Sequence, residues 1–232
     1  MNIRQNLEQV KQLCAAASKR SGRAPGAVKI VAVSKTVDRN RIGELAGVGH
    51  TVFGENRVQE LLNKQASLGP DLEWHFIGHL QRNKVRQLVG RVALIHSLDR
   101  WSLAEEINRY AVKAGLVIAV LVQVNVVGED SKSGISPDET QSFLRDLAGF
   151  PLVRVEGLMT MAPYSVNPEH ARPVFRELRE TRDEARRKLG LDLPYLSMGM
   201  STDYLVAIEE GADIVRLGTA IFGQRTCHLR EG

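Results

Sequence analysis

The sequence predicts a (β/α)8 TIM barrel with one extra helix at its N-terminus. Three observations predict it. Eight strand-like runs alternate with helix-like segments from end to end. Most of these runs are apolar on both faces, as strands of a parallel sheet covered by helices must be. The chain has 232 residues, within the range that one α/β barrel fills. Eight strands favour a closed barrel over an open doubly wound sheet. No linker or low-complexity segment interrupts the alternation, so residues 1–232 are expected to form a single domain.

The elements follow in order. Residues 2–20 carry Ile3, Leu7, Val10, Leu13 and Cys14 at helical spacing and read as the extra helix. Residues 28–34 form a continuous apolar strand, residues 42–46 lie in a short helix, and residues 51–54 form the second strand. A helix over 58–68 leads to a third strand at 73–78 and a basic helix at 83–89. The fourth strand is 92–98, and Asp99 is placed to cap the helix running to Lys113. The fifth strand, 116–125, is long, and Pro137 opens the next helix at a favoured early position. Strand six is 153–161, and the long helix 172–189 turns Val174, Phe175, Leu178, Ala185 and Leu189 inward. Strand seven (195–198), a helix (202–210) and strand eight (214–217) complete the pattern.

Composition excludes several classes of function. Apolar residues make up 43% of the chain, enough for a full core. Thirty-one Lys and Arg against 27 Asp and Glu give a net charge of only +4. The charges interleave, as in Arg176-Glu-Leu-Arg-Glu180, which describes a solvated helix face and no nucleic-acid footprint. Mild basicity is compatible with an anionic ligand. Cys14 and Cys227 stand near opposite ends with no CxxC spacing, so neither a disulfide framework nor a zinc site is indicated. The N-terminus lacks the apolar core of a signal peptide, and no run approaches the ~18 apolar residues of a membrane span. The expectation is a cytoplasmic protein with no membrane partner.

A barrel places its chemistry at the C-terminal ends of its strands. Strand one runs into Lys35, strand two into Asn56, and strand three into His75 and His79. Strand seven ends in Gly199-Met200-Ser201-Thr202 and strand eight in Gly218-Thr219, beside Arg216. Each of these small, hydroxyl-bearing turns could be an ordinary helix cap. As neighbours after strands seven and eight they stand where such barrels hold phosphate. A lysine opposite a phosphate cradle suits a phosphorylated carbonyl compound held as a Schiff base, because burial favours the neutral, nucleophilic amine. A lysine extending out of the rim is the plainer alternative. Arg216 could pair with a carboxylate or face a pyridine nitrogen. His75 and His79, four apart on a strand and its exit, lack the one-turn helix spacing of a metal pair and read as polar rim residues. Tyr164, after Pro163 on a loop, reads as surface or interface.

Further motifs bring a family into view. Val31-Ala-Val-Ser-Lys35-Thr, Phe53-Gly-Glu-Asn-Arg57, Trp74-His-Phe-Ile-Gly78, Leu80-Gln81 with Asn83-Lys84, Ser131-Lys-Ser-Gly134, Gly157-Leu-Met159, Ser197-Met-Gly-Met-Ser201 and Val215-Arg-Leu-Gly-Thr-Ala-Ile-Phe-Gly223 occur in this order. Over residues 3–225 the chain resembles the pyridoxal phosphate homeostasis proteins, the alanine racemase-like N-terminal-domain group. The resemblance implies that Lys35 carries pyridoxal 5'-phosphate (PLP) as an aldimine. It implies that Ser201, Gly218 and Thr219 hold the phosphate, that Arg216 faces the pyridine nitrogen and that Asn56 lies beside the cofactor. Met198, Gly199 and Met200 would shape the pocket wall. The chain departs from the pattern at His79, where proline is common, and at Arg82 and Val127, where serine is frequent.

The resemblance implies a protein that binds, stores and delivers PLP within vitamin B6 homeostasis without established turnover. Apo-enzymes that need PLP would be the recipients. Residue chemistry bears on this. PLP acts as an electron sink when its ring nitrogen is protonated and backed by a carboxylate. A permanently charged Arg216 would keep that nitrogen unprotonated. Racemisation tolerates this but needs a second base, which related racemases draw from an additional β domain that this sequence is not expected to carry. The alternative is a small PLP-dependent amino-acid racemase or lyase. A third reading is a Lys35 Schiff-base aldolase acting on a sugar phosphate. A single short domain fits a monomer. The basic segment Gln81-Arg-Asn-Lys84-Val-Arg86 is either a charged helix start or a second, transient site for the cofactor's phosphate. In the second case Lys84→Ala slows transfer of PLP to an apo-enzyme without bleaching the bound cofactor. Unchanged transfer kinetics would leave only the charged helix start.

Overall fold

Alternation along each strand decides which residues meet inside the molecule. The structure, a computed structural model, describes residues 2–129 and 133–224. Helix α1 (Ile3–Arg20) leads into β1 (Lys29–Val33), α2 (Arg39–Gly47), β2 (Val52–Glu55), α3 (Val58–Leu68) and β3 (Glu73–Phe76). Next come α4 (Val85–Leu88), β4 (Leu94–Leu98), α5 (Trp101–Ala114), β5 (Ile118–Gln123), α6 (Pro137–Leu147) and β6 (Val153–Met159). The chain continues through α7 (Arg172–Leu189), β7 (Tyr195–Ser197), α8 (Tyr204–Glu209), β8 (Ile214–Leu217) and α9 (Thr219–Phe222). The eight strands pair in sequence order, all parallel, and β8 closes on β1. The predicted TIM barrel with its N-terminal helix is the observed fold.

Two apolar layers hold it together. The outward faces of the strands pack under the helices, where Phe53, Trp74, Ile95, Val120 and Leu158 meet Leu61, Leu103 and Phe175. The inward faces contribute a smaller cluster of Val31, Leu94, Ala119, Leu121, Met159 and Ile214. Helix α1 lies against α8 and α9, its Ile3, Leu7, Val10 and Ala17 buried. Asn6 Nδ2 donates to the Ile221 carbonyl at 2.9 Å, tying this helix to the last turn of the barrel. Cys14 belongs to the same face, and burial pushes its thiol up to about 11, so it is an inert core residue. Cys227 and the Ser131–Lys132 part of the quoted motif lie outside the described residues.

Three sequence expectations are corrected. Strands four, five and six are shorter than predicted: strands four and five begin two residues later, and strands five and six end two residues earlier, because the apolar runs extend beyond the paired ladder. Asp99 does not cap α5, whose N-cap is Arg100 without a side-chain bond. The Asp99 carboxylate is drawn away to His79 at 3.1 Å and to Arg100. His75 is not a rim residue. On β3 it shares the inward side with Glu73, while Trp74 and Phe76 face the helices, and it is 1% exposed.

His50 sits outside the barrel, donating to the Val52 carbonyl at 2.9 Å with its ring edge-on to Phe53. Burial holds His50 below the ordinary imidazole value of 6.5, and holds the fully buried His96 well below it. The unfolded chain therefore binds protons near pH 6.5 that the folded chain refuses. Stability from these groups is complete above pH 6.5 and is lost as pH falls below it. The melting midpoint is expected to drop between pH 7 and pH 5, and His50→Gln, which keeps the donor, to narrow that drop. A drop of the same size in the variant would refute this assignment.

Candidate functional site

Strand alternation continues past the ladder and delivers a cavity of about 580 Å³ at the C-terminal mouth of the barrel. Of the sequence-predicted residues, Lys35, Asn56, Met200, Ser201, Arg216, Gly218 and Thr219 line it. Met198 and Gly199 do not. Met198 alternates outward from Ser197 and is fully buried in the layer beneath the helices. Gly199 works through its backbone. Its φ is +91°, a Cβ would lie 2.6 Å from the Ala207 Cβ, and its carbonyl accepts from the Arg216 amide at 3.0 Å. It sets the floor without facing the cavity.

One end of the cavity is built from backbone donors. The amides of Gly218 and Ala220 both donate to Ser201 Oγ at 3.2 Å, so the loops after β7 and β8 are joined at one oxygen. Two amides converge there on the single hydroxyl oxygen of Ser201. Asp203 Oδ1 accepts from the Met200 amide at 2.6 Å and fixes the turn that presents Ser201. Burial pushes the Asp203 carboxyl up, against the bond from Met200 that draws it down.

Lys35 is held through its two peptide neighbours. The buried Lys64 ammonium on α3 donates to the Ser34 carbonyl (2.7 Å), Glu55 Oε1 (2.6 Å) and Glu60 Oε1 (2.7 Å). Glu60 Oε1 in turn accepts from the Thr36 amide at 2.6 Å. Thr36 has φ +62°, a left-handed conformation that costs a β-branched residue about 1–3 kcal/mol. The cluster therefore clamps a strained turn on either side of Lys35. Burial pushes the Glu55 carboxyl up, while Lys64 and Ser34 pull it down. No side-chain partner of Lys35 occurs among the described residues, which leaves its amine available to a ligand.

Arg216 closes the floor. It is 4% exposed, and its guanidinium donates to Ser197 Oγ at 2.6 Å and to the Thr160 carbonyl at 2.9 Å. Burial brings it down to about 10, still a cation at neutral pH. No carboxylate is among the described residues that line the cavity. Asn56 Oδ1 is buried there without a partner, an acceptor left for a ligand or water. Gly78 lies so close to Asn56 that a Cβ would come within 2.3 Å of the Asn56 carbonyl oxygen. Sequence reasoning missed Gln123 and Met161 as cavity residues, found Thr202 only as part of the turn after strand seven, and assigned Tyr164 to the surface or an interface. Tyr164 is 81% exposed and also borders the mouth. Strand periodicity could have found Gln123, the last inward position of β5. Lys84 lies with Arg57 in an adjoining cavity of about 290 Å³ that shares Asn56 and His79 with the main one.

The site joins a free amine, backbone donors and a buried cation at the mouth of a (β/α)8 barrel. The sequence profile of the alanine racemase N-terminal domain matches residues 2–226, and the chain belongs to that family, in its pyridoxal phosphate homeostasis branch. The pyridoxal phosphate homeostasis protein of Aquifex aeolicus is 50% identical over 226 residues, covering 97% of this chain and 99% of that protein. The protein of the same name from Pseudomonas aeruginosa is 39% identical, with 96% of each chain covered. Among solved structures, PipY of Synechococcus elongatus PCC7942 with PLP bound is 36% identical, with a TM-score of 0.80, and covers 91% of this chain and 100% of its own.

Removing Lys64 tests the clamp. Lys64→Met strands the Glu55 carboxylate, whose side chain is 0% exposed, without its cation. A loss of about 3–5 kcal/mol is expected, read as a fall of about 10 °C in melting midpoint. Adding Glu55→Gln should recover part of it. A double variant no more stable than the single one would contradict the pairing.

Proposed function

We propose that this protein binds pyridoxal 5'-phosphate at the barrel mouth and serves its homeostasis by holding and delivering it, without turnover. One observation carries the reading. An amine (Lys35), an oxygen position bracketed by two amides (Gly218 and Ala220, on Ser201) and a floor cation (Arg216) line a single cavity. These fit the three functional ends of PLP. When bound, PLP supplies an aldehyde that condenses with a primary amine and releases one water. Lys35 Nζ is the amine. The amides of Gly218 and Ala220, with the hydroxyls of Ser201 and Thr219, would hold the phosphate. Arg216, a donor-only group, is offered to the ring nitrogen, and Asn56 lies beside the ring. The presence of PLP in PipY and the naming of the relatives support this assignment.

The lack of turnover is argued from the same residues. PLP catalysts that rely on a full electron sink hold the ring nitrogen protonated with a carboxylate, whereas racemisation tolerates an arginine there but needs a second base. Here a buried guanidinium stands at the floor and no described lining residue is acidic. The wide mouth bordered by Tyr164 suits release to apo-enzymes. No helix among the described residues is long and apolar enough to cross a membrane. One observation favours weak racemase or lyase activity as a second reading. His79 lines the cavity with its Nδ1 on the Asp99 carboxylate, an arrangement that orients a general base.

The purified protein is expected to absorb in the visible with PLP bound. Borohydride should bleach that band and fix the cofactor to the chain. Lys35→Ala should lack the band. A protein that stays colourless with added PLP would overturn the cofactor assignment. Exchange of amino-acid α-protons in deuterated water, lost in His79→Leu, would favour the second reading over a pure carrier.

A further inference from the structure

A polar line crosses the interior of the barrel from the cavity floor to the opposite end. Arg216 Nη1 lies 2.6 Å from Ser197 Oγ, and Ser197 Oγ lies 2.9 Å from His96 Nδ1. His96 Nε2 lies 2.8 Å from His75 Nδ1, and His75 Nε2 lies 2.7 Å from Glu73 Oε1. Glu73 opens β3 at the N-terminal face, where Lys29 at the start of β1 pairs with it at 2.8 Å. Ser197 and His96 are fully buried, and His75 nearly so. Barrel interiors are ordinarily filled by layers of branched aliphatic side chains. Four consecutive buried polar groups therefore replace apolar packing, which is costly unless every donor and acceptor is matched.

The two ends settle how the line is matched. A guanidinium has only donors, and an ionised carboxylate only acceptors. The hydrogen bond from His75 holds the Glu73 carboxyl down to about 2, so it is ionised. His75 Nε2 must then carry a proton and donate to Glu73. Burial keeps His96 neutral, so one of its nitrogens donates and the other accepts. If His96 donates through Nε2 to His75 Nδ1, its Nδ1 accepts from the Ser197 hydroxyl, which accepts from Arg216. Ser197, His96 and His75 are then each used once as acceptor and once as donor within the line. The reverse direction leaves the Ser197 proton with no acceptor in the line. All four bonds therefore point from Arg216 to Glu73, and both imidazoles are Nε2–H tautomers.

Charge balance gives the line a purpose. The direct acceptors of Arg216 are both neutral, a hydroxyl and a carbonyl; the buried Asp203 carboxylate acts on it through space, and the line adds a second, hydrogen-bonded countercharge. A buried cation needs a countercharge. Aligned hydrogen bonds polarise one another, so the line carries the influence of the Glu73 carboxylate to the guanidinium. We propose that His75 and His96 are positioning residues, which with Ser197 and Glu73 fix the direction of the Arg216 guanidinium and anchor its charge from the far end of the barrel. This deepens the PLP assignment and rests on it, since Arg216 is the group offered to the ring nitrogen.

Two measurements test the line. The first is ¹⁵N NMR of the histidine rings in the protein without cofactor. Nε2–H tautomers at both His75 and His96 are expected, and an Nδ1–H tautomer at either would overturn the direction. The second compares PLP affinity and the position of the visible band in variants. Glu73→Gln removes the distant charge at a partly exposed position and is expected to weaken PLP binding several-fold and move the band. Lys29→Met, which removes only the surface partner of Glu73, should leave both unchanged. His96→Leu should weaken binding, and His96→Gln, able to accept from Ser197 and donate to His75, should restore part of it. Glu73→Gln and Lys29→Met behaving alike, or His96→Gln no better than His96→Leu, would refute the anchoring role. If the unaltered protein binds no PLP, the cavity assignment falls, and the tautomers alone decide the line.

Discussion

Closing eight parallel strands into a barrel leaves one narrow interior, and each strand must send every second side chain into it. That constraint governs the rest of the molecule. Lys29, Val31 and Val33 alternate inward along β1, and Lys35 follows at the rim. Tyr195 and Ser197 share the inward side of β7, and Ile214 and Arg216 that of β8, while Leu196, Met198, Val215 and Leu217 pack under the helices. Since each pair of interior layers takes about one residue from each strand, polar groups there displace apolar ones directly. The bottom and middle of the interior divide between a small aliphatic cluster and the Glu73–Arg216 line, and the cavity begins where both end.

The helices act on the site from outside the sheet. Lys64 on α3 reaches under the end of β1, and the strained Thr36 turn depends on its ion pairs with Glu55 and Glu60. This explains why a charged group is buried where an aliphatic one would pack. An isolated buried ion pair contributes little net stability over an apolar replacement. Here the pair also satisfies the Ser34 carbonyl and, through Glu60, the Thr36 amide, two backbone groups that the strand ladder abandons. The clamp trades some stability for a defined direction of the Lys35 stem.

Much of this was legible in the sequence because it rests on periodicity. Continuous apolar runs marked the strands, α3, α7 and β8 matched their predicted limits, and the strand ends located Lys35, Asn56, Ser201, Arg216, Gly218 and Thr219 at one mouth. What escaped was whatever depends on side-chain direction beyond the last ladder bond. Met198 and Met200 differ only in parity, and one is buried under helices while the other lines the cavity. Asp99 looked like a cap because caps are local, yet it is held by His79, twenty residues away. His75 looked like a rim residue because histidine favours partly wet positions. Its place in the core depends on Glu73, two residues back on the same strand face, and on His96, which only the pairing of β3 with β4 brings to it.

The Ser201 hydroxyl has a consequence for exchange. It already accepts from the Gly218 and Ala220 amides, so these donors are engaged without any ligand. An arriving anion replaces one oxygen with another, and a departing one hands the amides back to the same hydroxyl. Neither direction exposes a bare donor in a dry site, where an unmet amide costs about 1–3 kcal/mol. On the proposed phosphate assignment, the serine would hold these amides whenever the anion is away. On the proposed carrier role, that arrangement would serve release as readily as uptake.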